Sequence, residues 1–486
     1  MSGRFDLVVH DVTLHDGTGA EGRTASLAVA NGRIARIDDT ITAPAEREID
    51  GTGLALSPGF IDVHTHDDRA ILATDMAAKL TQGVTCVVVG NCGISLAPLP
   101  GSGGVVPPLD LIARGPGDLF ARYADYLSAV ADAGPVVNMV GLVGHSTLRL
   151  ATMDRLDRAA MGPEARAMRD LLDRALDDGA IGLSTGLYYE PANAASTVEI
   201  LQVAEPLARF NGVYTTHLRD EADGVLDAME EAFEIGRGAD VPVVLSHHKV
   251  TDARNRGRTA ETLPVIAARA AEQPVTLDVY PYNASSTVLE AKRATEVDRI
   301  IITWSKPRPD LAGRELSDIA AEMACSRVEA VARLQPAGAV YFSMAEEDVR
   351  RVLQFPMTMV GSDGLPHDVR PHPRLWGTFP RVLGHYVRDV GLFGLPEALR
   401  RMTSLPAARF GLTGRGVLRE GAFADMVLFD ATRIADMADF AEPTRAAAGI
   451  RAVWVNGVEA CRDGVTTGAR GGRVLRNADL TAKAFS

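Results

Sequence analysis

Between residues 54 and 360 the chain repeats one pattern: a short apolar run, a few small or polar residues, then a longer stretch with apolar residues at helical spacing. The runs fall at 54–63, 85–89, 136–143, 180–183, 212–216, 241–245, 275–279 and 357–360, and helical stretches such as 164–176, 197–210 and 221–235 separate most of them. Near-continuous apolar runs suit strands buried on both faces, and strands alternating with helices join as parallel neighbours. Eight units in succession favour an α/β fold of the (β/α)8 TIM-barrel type, with a doubly wound open sheet as the main alternative. The opening run, 54–63, reads as a single buried strand.

The two ends have a different texture. Short strands are expected near 6–9, 25–29 and 33–37, punctuated by Asp16-Gly17 and Asn31-Gly32, and again near 424–429 and 451–455, where Asn456-Gly457 follows. Two β-rich ends predict one small β domain assembled from 1–57 and 415–480 around a barrel at 58–414. The gap after residue 279 is too long for an ordinary loop, so 287–340, with its own helical pattern, reads as an inserted subdomain. The Gly/Pro-rich stretch 101–108 reads as a mobile loop.

The net charge of -13 argues against a nucleic-acid partner, which needs a basic surface. The first residues, Met1-Ser2-Gly3-Arg4-Phe5-Asp6, lack the apolar centre of a signal peptide, and no stretch is apolar for long enough to cross a bilayer. Cys86, Cys92, Cys325 and Cys461 show neither disulfide-framework density nor CxxC pairing. Reduced thiols in a cytoplasmic enzyme are the expectation.

Chemistry collects just after the apolar runs. The first ends in His64-Thr65-His66, the second in Gly90-Asn91-Cys92-Gly93, the fifth in Thr216-His217, the sixth in Ser246-His247-His248-Lys249 and the eighth in Gly361-Ser362-Asp363-Gly364. Side chains at i and i+2 of a strand share a side, so His64 and His66 can aim into one cavity. In a parallel barrel the C-terminal strand ends share one mouth, where these residues would converge. Imidazole, thiolate and carboxylate are the ligands that zinc takes. Any one of them alone is equally a hydrogen-bonded residue under a loop. Their recurrence at five strand ends out of eight favours a metal site.

This order of histidines and aspartate resembles the amidohydrolase superfamily, whose barrels carry a terminal β-sandwich and hydrolyse amides and esters at one or two metals. Many binuclear members bridge the metals with a carboxylated lysine on the fourth strand, yet no lysine lies between Lys79 and Lys249. Cys92 can supply the missing anionic ligand as a thiolate. That substitution, with 58–68, 182–189, 246–249 and the long run 361–381, narrows the resemblance to the N-acyl-D-amino acid deacylases, or D-aminoacylases.

The resemblance implies a tight zinc on Cys92, His217 and His247. It also implies a looser second metal position on His64 and His66, with Cys92 available to bridge. Asp363 would move the proton from water to the leaving amine. Lys249, Tyr280 and Arg374 are the expected substrate-binding residues, with Tyr188 and Ser286 beside them. Arg374 is expected to chelate the substrate carboxylate bidentately. His248, His367, His372 and His385 are expected to pack or hydrogen-bond; His10 and His15 belong to the β domain, and the sequence gives His145 no role. The expected activity is zinc-dependent hydrolysis of N-acyl-D-amino acids, small-molecule substrates, with a preference for apolar D-side chains. An acidic preference would need a further cation in the pocket, which the sequence does not place. The alternatives are an amidohydrolase for cyclic amides or N-acyl sugars, and a non-catalytic barrel scaffold.

Overall fold

In the computed structural model, residues 4–100 and 105–480 are described. Residues 1–3, the first half of the expected 101–108 loop and Lys483 lie outside them. Both chain ends build one nine-stranded sheet. Phe5–Leu14, Arg23–Ala30, Arg33–Asp38, Ala45–Asp50 and Ala55–Pro58 come from the N-terminal side. Met426–Phe429, Ile450–Val455, Val458–Arg462 and Val465–Thr466 come from the C-terminal side. The halves meet where Ala55–Pro58 runs antiparallel to Met426–Phe429, with Leu56 opposite Leu428. Asn31-Gly32 and Asn456-Gly457 both hold positive φ, the geometry that a two-residue hairpin turn demands and that these residue types tolerate. Leu27, Leu56, Met426, Leu428 and Trp454 share one buried cluster under the sheet.

The 54–63 run is two strands, not one. Ala55–Pro58 belongs to the terminal sheet, whereas Phe60–Asp62 opens a parallel sheet. Gly59 is the joint: a Cβ there would lie 2.2 Å from the Thr85 side chain, so only glycine lets the chain change sheets at this point.

Parallel strands form two arcs. Phe60–Asp62, Val84–Val89 and Asn138–Gly141 make the first. Val143–Gly144, Gly182–Gly186, Val213–His217, Val243–Leu245, Val275–Val279 and Thr358–Val360 make the second, each beside its predecessor in the chain. The Ile181 N–H donates to the Gly141 carbonyl at 2.9 Å at one seam. At the other the Asp363 N–H donates to the His64 carbonyl at 2.8 Å, and Thr65 bridges to Gly364 in parallel. Alternate residues divide between two clusters, as a period of two requires. Cys86, Val88, Val140, Val244 and Met359 pack with one another across the arcs. Val87, Val89, Val243, Leu245 and Leu277 pack outward against the helices.

Successive helices Gly162–Asp178, Thr197–Ala204, Val225–Ala239 and Thr259–Ala270 lie side by side. Gly162–Asp178 buries Ala165, Met168, Leu172, Ala175 and Leu176, spaced for one face. Burying a side chain such as Leu172 is worth roughly 1.5–3 kcal/mol. Two of the expected helices differ in extent. The one expected over 197–210 turns into a 3-10 segment at Glu205–Phe210, because Pro206 lacks the N–H of the α-helical ladder. The one expected from 221 begins at Val225, because residues 218–224 are drawn into a loop that carries Glu221 inward.

The insertion holds three antiparallel strands that its helical pattern did not announce. Ser285–Val288 and Ile300–Ser305 flank Ala337–Tyr341, beside helices Leu316–Glu322 and Arg327–Leu334. Leu289, Ile302, Leu316, Ile319 and Leu334 give it an apolar cluster of its own. No helix among the described residues is long and apolar enough to cross a membrane.

Candidate metal centre

Cys92 Sγ is the centre of the site. It lies 3.1 Å from His64 Nε2, 3.6 Å from His247 Nε2 and 4.0 Å from His217 Nδ1. Asp363 Oδ1 lies 3.2 Å from His66 Nε2 and 3.5 Å from His64 Nε2. All six side chains are buried, and each follows or ends a parallel strand. Cys92, His247 and Asp363 have φ of 51°, 37° and 49°, a left-handed backbone that non-glycine residues rarely adopt. Strain of this kind persists where the surrounding structure dictates a side-chain direction. Here that direction is inward.

The donor set fits a divalent metal. Ligand atoms at zinc bond lengths in a tetrahedron are separated by about 3.3–3.6 Å, and the three imidazole nitrogens bracket that range at 3.1, 3.6 and 4.0 Å from the sulfur. One donor atom each from His64, Cys92, His247 and Asp363 fall within 4.8 Å of one another, as do those of His217, Glu221 and His247. Burial alone would raise the Cys92 thiol. The charges of His64 and His247, with hydrogen bonds from His217 and His247, hold it well below its ordinary value. Burial likewise opposes the ionisation of Asp363, but Arg374 first, then His64, the His66 hydrogen bond and His247 hold its carboxyl well below the usual range. Burial works to lower His66, yet hydrogen bonds and charge from Asp363 and Cys92 raise it to about 9. A thiolate and a carboxylate this close in a buried site favour a cation between them.

Carboxylates lie behind the imidazoles, and no motif in the sequence announces them. Asp278 Oδ1 lies 3.2 Å from His64 Nδ1 and accepts the His247 N–H at 2.9 Å. A proton held on Nδ1 leaves Nε2 of His64 free to face Cys92. Asp278 went unnoticed because it lies within an apolar run. Glu221 lies 3.2 Å from His247 Nδ1, 3.5 Å from His217 Nε2 and 2.7 Å from Lys249 Nζ. Its only sequence signal is its place four residues after His217. Lys79, fully buried, donates to Asp62 at 2.9 Å and to Ser362 Oγ at 2.8 Å, with Asp67 at 3.2 Å. It ties the residue before Asp363 to the first parallel strand.

A cavity of about 380 Å³ opens over this cluster, with Asp363, Lys249, Tyr280, Ser286 and Tyr188 in its wall. Tyr280 Oη and Ser286 Oγ are buried without a hydrogen-bond partner. Tyr188 Oη donates to Glu290 at 2.8 Å. Arg374 is not in the cavity wall, and its Nε and Nη1 are buried without a hydrogen-bond partner. Its Nη1 lies 2.8 Å from Asp363 Oδ2, its Nη2 donates to the Ser286 carbonyl at 3.0 Å, and its guanidinium stacks 4.4 Å above the Tyr280 ring.

The remaining histidines lie elsewhere. His145 joins a buried network with Glu199, at 3.1 Å, and Arg149, which supplies the role missing from its sequence. His248 pairs with Thr262 at 2.8 Å, and His372 Nδ1 accepts the Arg374 N–H at 2.9 Å. His367 lies 3.5 Å from Arg69, and His385 packs edge-on against Tyr386. His10 faces Glu48 within the terminal sheet, and His15 follows the first strand.

A family model described as "Amidohydrolase family" matches residues 47–460. The chain is 54% identical over 472 residues to a D-aminoacylase of Alcaligenes xylosoxydans xylosoxydans, which covers 97% of each chain. It is 51% identical over 480 residues to an N-acyl-D-aspartate deacylase of the same organism, covering 98% of this chain and 95% of the other. It also matches the crystal structure of an N-acyl-D-glutamate deacylase from Bordetella bronchiseptica, complexed with zinc and a phosphonate inhibitor that mimics the reaction's tetrahedral intermediate. That match has a TM-score of 0.95 at 46% identity and covers 98% of this chain and 100% of the other.

Proposed function

The chain belongs to the amidohydrolase family, and within it to the N-acyl-D-amino acid deacylases, and from that premise we propose how its residues share the work. The protein is a zinc-dependent enzyme that hydrolyses the amide bond of N-acyl-D-amino acids to a carboxylate and a free D-amino acid. Cys92, His217 and His247 hold the tight zinc; His64 and His66 form the looser second position, with Cys92 between the two. The observation that carries this reading is the Cys92 sulfur flanked by three imidazole nitrogens at 3.1–4.0 Å, with the Asp363 carboxylate beside it. Zinc bound there supplies a polarised scissile carbonyl and a water whose pKa falls to roughly 7.

Asp363 moves the proton. Its Oδ2 faces Arg374 and its Oδ1 faces His66 and His64 on the metal side, so Oδ1 is the oxygen that takes the proton from the attacking water and passes it to the leaving nitrogen. Without that transfer the amine would leave as an anion. Arg374 holds Asp363 rather than the substrate. The substrate carboxylate falls to Lys249, the Tyr280 hydroxyl and Ser286 Oγ, the last two being buried donors that still lack a partner. Tyr188 closes the side of the pocket. Fixing the carboxylate, the acyl carbonyl and the side chain at three places selects one enantiomer.

The two parallel arcs are read as one (β/α)8 barrel over 58–414. Support comes from the Asp363–His64 and Ile181–Gly141 hydrogen bonds at the seams and from the inner cluster that draws on both arcs. The terminal sheet, folded over Leu27 and Trp454, is read as a small β-sandwich domain built from 1–57 and 415–480, and 287–340 as an inserted subdomain. Four free cysteines fit a reducing, cytoplasmic setting.

Ile94, Leu111, Leu187 and Leu365 in the pocket wall support an apolar D-side chain such as that of methionine, leucine or phenylalanine. One observation favours a second reading, an acidic side chain. Arg219, Lys249 and Arg254 in the same wall are paired with Glu231, Glu221 and Asp223. Lys292 and Arg293 line it with no ion pair among the described residues. The test is kcat/KM on N-acetyl-D-methionine, N-acetyl-D-aspartate and N-acetyl-D-glutamate. A tenfold or greater lead for methionine supports the apolar reading, and a lead for either acidic substrate replaces it with the second. No turnover of any of the three by zinc-loaded enzyme overturns both.

A further inference from the structure

We propose that Glu221 is a single positioning residue for both zinc-binding imidazoles, fixing opposite tautomers on His217 and His247. The proposal rests on Cys92, His217 and His247 being the tight zinc site. The two histidines come from neighbouring parallel strands, and each ring turns one nitrogen toward Cys92 and the other toward Glu221. His217 offers Nδ1 to the sulfur at 4.0 Å and Nε2 to Glu221 Oε2 at 3.5 Å. His247 does the reverse, with Nε2 to the sulfur at 3.6 Å and Nδ1 to Glu221 Oε1 at 3.2 Å; Lys249 Nζ, 2.9 Å from the same Nδ1, competes for it but is drawn to Glu221 Oε1 at 2.7 Å. The ring planes stand 83° apart, so one carboxylate can give one oxygen to each.

A neutral imidazole binds a metal only through the nitrogen that carries no proton. A carboxylate at the far nitrogen draws the proton there and orients the ring. With zinc bound, Glu221 would favour Nε2–H on His217 and Nδ1–H on His247, so that the nitrogens facing the sulfur give up the protons by which they bond Cys92 in its absence. It is not a ligand of that same metal, because it meets both rings on the side away from Cys92.

Other contacts hold the carboxylate where it must act. Glu221 is 8% exposed, and a buried carboxylate needs a partner. Lys249 Nζ supplies the charge at 2.7 Å. The Thr251 N–H donates to the Glu221 carbonyl at 2.7 Å, which pins the loop before helix Val225–Ala239 to the segment after His247. Lys249 thus has a duty toward the metal side of the site besides any contact with substrate.

The test is zinc affinity of the metal-depleted full-length enzyme, titrated with zinc against a chromophoric chelator, for wild type, Glu221→Gln, Glu221→Asp and Glu221→Ala. Glu221→Gln is nearly isosteric and turns an amide N–H toward one ring. It should weaken zinc binding by about 10–100-fold, with Glu221→Ala at least as weak and Glu221→Asp between it and wild type. Cobalt(II) in place of zinc should give a shifted absorption spectrum in Glu221→Gln. Zinc affinity within twofold of wild type in folded Glu221→Gln overturns the proposal. So does a large KM rise with unchanged affinity, which would place Glu221 on the substrate side. Full zinc affinity in Cys92→Ala would instead defeat the underlying reading of the site, a separate outcome measured in the same titration.

Discussion

Arg374 Nη1 lies 2.8 Å from Oδ2 of Asp363, and both side chains are buried. The pair places a fixed cation behind the carboxylate and leaves Oδ1 facing His66 at 3.2 Å. Burial alone would raise the carboxyl; Arg374 is the largest influence that keeps it ionised. A base that is already ionised and already aimed needs no reorganisation when water is attacked.

Asp363→Ala should retain zinc and lose turnover by at least about 10²–10⁴-fold, the range of general acid–base catalysis. Zinc content and amine release measured on the same sample check this. Activity near wild type would remove Asp363 from the mechanism.

Arg374→Lys keeps a charge but loses the planar fork that spans Asp363, the Ser286 carbonyl and the Tyr280 ring. The expected result is a fall in kcat of about tenfold or more with KM for substrate changed less. A rise in KM alone would return Arg374 to the substrate carboxylate, as its sequence first suggested.

Cys92→Ala should strip the tight zinc. Elemental analysis after dialysis should find most of the metal gone, with the fold kept by circular dichroism. Full occupancy in that variant would contradict the ligand assignment.

Much of this site was legible because strand ends are short and punctuated. His64, His66, Cys92, His217, His247 and Asp363 each directly follow or end an apolar run, and a parallel sheet gathers such ends on one side. What the sequence hid was tertiary. Asp278 sits inside a run that counts as apolar, and Glu221 lies within a stretch whose periodicity continues into the helix behind it. The duty of Arg374 depends on residues 363–374 doubling back on themselves. Gly59 divides what reads as one strand because Thr85 packs against it, a contact with no local signature. The strands of the insertion were masked by helices on either side.

A second buried carboxylate gives a prediction away from the metal. Glu199 binds His145 and Arg149 and accepts the Ala160 N–H at 2.7 Å. Burial opposes its ionisation, but the His145 and Arg149 contacts lower it to about 2. A depressed carboxyl gives stability that is complete above the unfolded pKa, near 4.3, and is lost as pH falls toward 2. Glu199→Gln should destabilise the protein by about 3–5 kcal/mol at pH 7, because Arg149 is left buried without its partner. It should also flatten the loss of stability between about pH 4.3 and 2. Urea midpoints at pH 7 and pH 3 measure both. An unchanged midpoint at pH 7 would show the network to be dispensable.

The most direct measurement is the rate of amine release from N-acetyl-D-methionine and N-acetyl-L-methionine by the zinc-loaded enzyme at pH 7, with N-acetyl-D-aspartate run beside them. Turnover of D-substrates with the L-enantiomer slower by at least about 10²-fold, abolished by a chelator and restored by zinc, is the predicted result. Equal rates on the two enantiomers, preference for the L-form, or no turnover of any D-substrate with zinc bound would contradict the account.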